Sequence, residues 1–191
     1  GQFSVVTILL VGIAVNAIAG VGIGAFQYLA DDGQLRSMVF WMMGSFGRST
    51  WTTLLPAVVI MAVCVLALIR YARPLDLLQL GEPEAEFLGV DVKRLKRGVI
   101  LASAAGVGAG VALCGIIGFI GLVVPHLVRL SIGPSHKLLI PGSALLGASL
   151  AILADLVARM IIIPAEIPVS LVTSALGAPF FLWLIARARP V

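Results

Sequence analysis

Residues 1–30, 49–69, 98–128, 138–154 and 167–186 contain no Asp, Glu, Lys or Arg. About 20 apolar residues suffice to cross the hydrocarbon core of a bilayer as a helix. Inside that core each backbone amide must find its partner within its own segment, which selects helix for such runs. The chain is therefore expected to be all-α: a polytopic membrane helical bundle with about six crossings, forming a single transmembrane domain over residues 1–191. Composition supports this, with 60% hydrophobic and 12% charged residues and a mean hydropathy of +1.13, against roughly 45–50% and 25% in soluble domains.

The charge is unevenly placed. Arg70 to Arg97 holds six basic residues (Arg70, Arg73, Lys93, Arg94, Lys96, Arg97) and five acidic ones (Asp76, Glu82, Glu84, Glu86, Asp91), 11 of the chain's 22. A net charge of +4 and a pI near 9.6 do not point to nucleic acid, because the basic residues flank apolar segments, where they mark the cytoplasmic side. Cys64 and Cys114 lie in apolar runs with no ligand-spaced partner and read as small core residues rather than a disulfide. The chain begins at Gly1 with no charged leader, as expected of a chain truncated at its start.

The first span is expected over residues 4–22, with Asn16 its one strongly polar residue and Gly20, Gly22 and Gly24 closing it. An amphipathic stretch from Gln34 to Met43 can lie on or dip into the membrane face. A second span runs from Trp51 to Arg70. In the charged island, Leu75, Leu77, Leu78 and Leu80 form a first short apolar cluster and Gly81 interrupts it. Pro83 to Leu88 forms a second short helix, with Glu82, Glu84 and Glu86 suited to its positive N-terminus and Gly89 suited to its end.

The uncharged run from Gly98 to Val128 is long for one crossing and short for two. Broken near Gly115 to Gly118 into two crossings, it places ten basic residues inside (Arg70, Arg73, Lys93, Arg94, Lys96, Arg97, Arg129, Lys137, Arg187, Arg189) and three outside (Arg36, Arg48, Arg159). As one crossing it inverts the later segments and leaves seven against six. The positive-inside rule favours two. Spans over Leu138 to about Ile163 and Ile167 to Ala186 complete the count. Small residues four apart, Gly106/Gly110, Ser143/Gly147/Ala151 and Ala154/Ala158, allow close helix approach in lipid.

Gly115, Gly118 and Gly121 followed by Pro125 weaken a helix that must satisfy its own backbone, which marks either a bend beside a translocation pathway or a packing kink. His126 has no second ligand at helical spacing and reads as an interface histidine with a structural hydrogen bond; His136 beside Lys137 reads as a loop residue. Asp155 and Arg159 stand at the favourable i, i+4 spacing, either as a self-satisfied pair or with Arg159 turned to an acidic partner. No phosphate-binding Gly-x-x-x-x-Gly-Lys loop occurs, no catalytic pairing is found around Ser170, Thr173 and Ser174, and no cofactor or metal site is expected. If the chain serves transport and that transport needs energy, it arrives from another chain.

The stretches Phe40–Phe46, Leu80–Glu82 with Phe87–Val90, Gly118–Arg129, Leu138–Gly142, Ala154–Arg159 and Ile167–Phe180 resemble the permease subunits of type II ATP-binding cassette importers, the iron-siderophore, haem and cobalamin uptake family. The resemblance covers nearly the whole chain and implies helices five to ten of a ten-helix permease of the bacterial inner membrane. It implies a non-catalytic subunit that pairs with a second permease copy in a homodimer. Two cytoplasmic ATP-binding subunits would bind below, and a periplasmic or surface substrate-binding protein would dock above. ATPase coupling would fall to a segment of about residues 75–90, with Leu77, Leu78, Gly81, Glu82, Glu84, Phe87, Leu88 and Gly89. The broken helix at Gly115, Gly118, Gly121 and Pro125 would border the pathway, and Arg159 would meet the binding protein. A channel or secondary transporter is the alternative; it calls for buried ionisable residues at mid-depth, and only Asp155 comes close.

Overall fold

The computed structural model describes residues 5–47, 49–162 and 167–187. Arg48, Arg189 and the expected span end at Ile163 lie outside the described residues. Among those described there is no strand. The contacts divide the chain into two compact units, Gly1–Met42 and Met43–Val191.

The first unit holds α1 (Val5–Leu29) and α2 (Asp32–Met42). The glycines expected to close the first span do not: α1 runs through Gly20, Gly22 and Gly24. A glycine costs a helix only about 1 kcal/mol, whereas an amide left open in an apolar segment costs several. The start of α2 is set by Asp31, whose Oδ1 accepts the Gln34 N–H at 2.8 Å while Gln34 Oε1 accepts the Asp31 N–H at 3.3 Å. This reciprocal cap satisfies two end donors.

In the second unit α3 (Trp51–Arg70) leads into two short helices, α4 (Ala72–Leu78) and α5 (Glu82–Phe87), then α6 (Val92–Cys114), α7 (Ile120–Ile132), α8 (His136–Met160) and α9 (Val169–Arg187). Helices α1, α3, α6 and α8 are long and apolar enough to cross a membrane, and α7 and α9 are shorter apolar helices. These six apolar helices stand where the six crossings were expected. The break between α6 and α7 falls at residues 115–119, within the glycine-rich segment singled out above.

Helix α3 packs along α6 and α7 along α8, while α9 meets both α7 and α8. The small residues lie at these seams. A Cβ on Gly106 would sit 3.3 Å from the Cys64 Cβ, and one on Gly147 3.8 Å from Ile120 Cγ2. Ala154 and Ala158 are buried with Val169 and Val172, against Phe46 and Ile117. Without a hydrophobic driving force between helices in lipid, such close approach is what dispersion contacts need. Cys64 is buried, as expected of a small core residue, whereas Cys114 is half-buried.

Helices α3, α7 and α8 each carry a proline as their sixth residue, Pro56, Pro125 and Pro141. Each removes the bond its N–H would donate one turn back.

Candidate functional site

The charged island folds into the α4–α5 hairpin. Gly81, at φ 125°, makes the corner, and the Glu84 carboxylate lies where any side chain at that position would project. Helix α5 ends in a paired cap: the Gly89 N–H donates to Glu86 O at 2.9 Å and the Val90 N–H to Ala85 O at 3.0 Å, with Gly89 at φ 85°. That double closure around a left-handed glycine stops a helix sharply. Ala85 is fully buried, and Lys96 Nζ on α6 lies 2.6 Å from Glu82 Oε1. Leu77 and Leu78 are half-buried and Glu84 is exposed. Phe87, 92% exposed, and Leu88 project from the tip.

The hairpin also grips α8. Asp76 Oδ1 accepts the His136 backbone N–H at 2.7 Å and lies 2.7 Å from His136 Nδ1; Asp76 Oδ2 accepts the Ser135 hydroxyl at 3.1 Å. Gln79 Nε2 donates to Pro134 O at 3.3 Å. Burial would raise the Asp76 pKa, but the bonds from the His136 main chain and ring and from Ser135 outweigh it, and the carboxyl is held below its ordinary value. His136 is thus the first residue of α8 rather than a loop residue, and its partner lies 60 positions earlier. The usable signal was a polar pair one turn apart, Asp76 in α4 and Gln79 at its end, set among leucines.

At the other end, the break between α6 and α7 is held by backbone. Gly115 adopts φ 74° and Phe119 φ 66°, the latter left-handed for a bulky residue. Such a conformation costs of order 1–3 kcal/mol and persists only when its surroundings hold it. They do so through glycines: a Cβ on Gly177 of α9 would lie 2.6 Å from the Phe119 Cβ, and one on Gly118 3.9 Å from Ser174 Oγ. The segment before α3 closes the junction. The Ser45 N–H donates to Cys114 O at 2.8 Å, Gly44 O accepts the Val169 N–H at 3.0 Å, and Met43 O accepts the Ser170 N–H at 3.3 Å. A Cβ on Gly44, at φ 73°, would lie 2.8 Å from Ile116 O. Gly44 and Ser45 together thus join α6, the break and α9, which no spacing in the sequence announced.

Gly121 and Pro125 were grouped with the break, but both lie inside α7. Only Gly115 and Gly118 belong to it. Beside it lies an apolar cavity of about 320 Å³, lined by Phe119, Ile120, Val123, Ala154, Thr173 and Gly177 among others. His126 is half-buried, and the structural hydrogen bond expected of its ring is not found among the described residues. Asp155 and Arg159 do pair, Arg159 Nε donating to Asp155 Oδ2 at 2.8 Å, with 41% of the Arg159 side chain exposed in the last turn of α8.

Known proteins carry the same architecture. A metal-chelate type ABC transporter solved in an inward-facing conformation superposes with a TM-score of 0.90 at 38% identity, over 96% of this chain and 60% of the other. The hemin transport system permease protein HmuU of Yersinia pestis is 52% identical over 99% of this chain and 57% of its own length. The vitamin B12 import system permease protein BtuC of Vibrio cholerae is 45% identical over 94% of this chain and 54% of its own length. The chain thus spans little more than half the length of these curated relatives. The sequence profile of the FecCD transport family matches residues 1–187, and the chain belongs to that family.

Proposed function

We propose that this chain is the membrane-spanning permease part of an ATP-driven importer that carries a metal chelate, such as ferric siderophore, haem or cobalamin, across the bacterial inner membrane. It works as a pair of copies, with ATP hydrolysed on separate cytoplasmic subunits and substrate delivered by a binding protein. The observation that carries this reading is the α4–α5 hairpin. Glu82, Glu84 and Glu86 lie in the same six residues as the exposed Phe87. Each carboxylate would cost several kcal/mol in hydrocarbon, so this apolar tip is suited to a protein groove in water rather than to lipid. A short amphipathic helix laid in a groove is a common mode of recognition, and a buried aromatic is the usual anchor. The substrates of the relatives, hemin and vitamin B12, support the substrate class.

Closure of the ATPases on nucleotide would then carry the hairpin as a rigid body and rock the helices attached to it. The pathway runs beside the α6–α7 break, and Arg159 offers a cation to the binding protein at the far end of α8. Replacement of Phe87 in the full-length permease tests the coupling role. Phe87→Arg is expected to leave the protein in the membrane with its partners while abolishing uptake and ATPase stimulation. Normal uptake and stimulation in that variant would remove the assignment.

A further inference from the structure

The hairpin continues directly from α3 and is tied to two later helices, and those two ties differ in kind. To α6 it is joined by the chain itself, by Lys96 to Glu82, and by close contact of Tyr71 with Gly98, where no Cβ fits. To α8 it has no covalent connection. The tie there is a cap supplied from outside: Ser135, the residue preceding α8, makes no side-chain cap of its own, and Asp76 takes over the task by accepting the first N–H of the helix. Asp76 binds His136 and Ser135, and Gln79 reinforces it through Pro134 O and a 3.1 Å contact with His136 Nδ1. Helix α8 is 25 residues, or about 37 Å, long, and its last turn carries Arg159.

We propose that Asp76 is a positioning residue for transport: it joins the hairpin to the start of α8, so that a displacement of the hairpin is delivered to α8 and along it to Arg159. This rests on the permease reading above. An ionised carboxylate suits the task, since charge-assisted bonds to backbone N–H are shorter and stronger than neutral ones. Two-point attachment also explains why α4 precedes α5 in the hairpin: α5 presents the apolar tip, and α4 carries the grip on α8. Without that grip, movement of the tip would act through the chain on α3 and α6, with no direct hold on the start of α8.

The test uses the full-length permease with its ATPase and binding protein in proteoliposomes, with hemin and cobalamin as the transported probes. The measured quantity is probe accumulated per ATP hydrolysed, which does not depend on the amount of folded protein. Asp76→Ala is expected to keep ATP hydrolysis while lowering that ratio about tenfold, the usual size of a coupling between sites. Asp76→Asn retains an oxygen for the His136 N–H without the charge and is expected to recover part of the loss. A wild-type ratio in Asp76→Ala overturns the proposal.

Should Asp76→Ala fail to assemble, spin labels at Arg73→Cys on α4 and Lys137→Cys on α8, with Cys64 and Cys114 replaced by alanine, decide the matter. The proposal requires the same label separation with and without ATP, and a separation that changes with nucleotide overturns it. Phe87→Arg in the same vesicles separates the two readings. If it uncouples while Asp76→Ala does not, only the α4–α8 joint fails; if neither uncouples, the permease reading fails with it.

Discussion

The hairpin end of the second unit and the end at the α6–α7 break are joined by different chemistry. At the hairpin, charged side chains span the gaps between helices: Asp76 to His136 and Ser135, and Lys96 to Glu82. At the break the ties are made by the backbone: hydrogen bonds between Gly44 and Val169 and between Ser45 and Cys114, and the close seat of Phe119 against Gly177. A backbone junction with no room for a Cβ cannot shift without strain, whereas the side-chain bonds at the hairpin hold it and the start of α8 together as one body. The contrast assigns the hairpin end to movement and the break to a fixed junction around which helices pivot.

That contrast can be challenged at four points, taken in falling order of effect. Gly44→Val forces a branched residue into a left-handed conformation with its Cβ against Ile116 O. Adding about 1–2 kcal/mol for the backbone to about 1–3 for overpacking, it is expected to lower the thermal midpoint in detergent by many degrees. A midpoint within error of wild type would show that the junction yields. Arg159→Glu reverses the charge beside Asp155 and is expected to weaken binding-protein docking about tenfold while leaving the junction folded; unchanged affinity in a docking titration would detach Arg159 from that role.

Acid should act at the hairpin end. The Asp76 carboxyl is held below its ordinary value in the folded state, so its contribution is complete above that ordinary value and is lost as pH falls through the lowered one. The Arg73–Lys137 label separation should therefore hold from about pH 8 to about pH 5 and spread only in stronger acid. Spreading near neutrality would contradict the assignment of the charge. The smallest effect is expected at Gly108 on α6, where nothing lies within 4 Å of an added Cβ. Gly108→Ala should stabilise the chain by about 0.5–1 kcal/mol, and a loss of stability there would mean that α6 is under strain.

Much of this was legible in local patterns. The bounds of α3 coincide with the expected Trp51–Arg70, the two short helices flank Gly81, and the break falls at the glycines. Each rests on an energy that acts within a few residues: transfer of an apolar run, the left-handed freedom of glycine, or charge at a helix end. The misreadings share one cause. Gly20, Gly22 and Gly24 were taken as an end because glycine is a poor helix former, yet the need to satisfy each amide keeps α1 helical to Leu29. Pro125 was placed in the break because proline ends many helices, but near the start of α7 it forfeits only one bond.

The amino-acid order alone determined that this is a helical membrane chain with a hydrophilic hairpin, and where its helices are interrupted, because burial preference and backbone conformation are properties of short segments. Folding decided which helix ends meet. Asp76 and His136 are 60 residues apart, and Gly44 reaches both Ile116 and Val169. Such pairings depend on how rigid helices of fixed length stack against one another, and only the packed bundle brings those ends within hydrogen-bond distance.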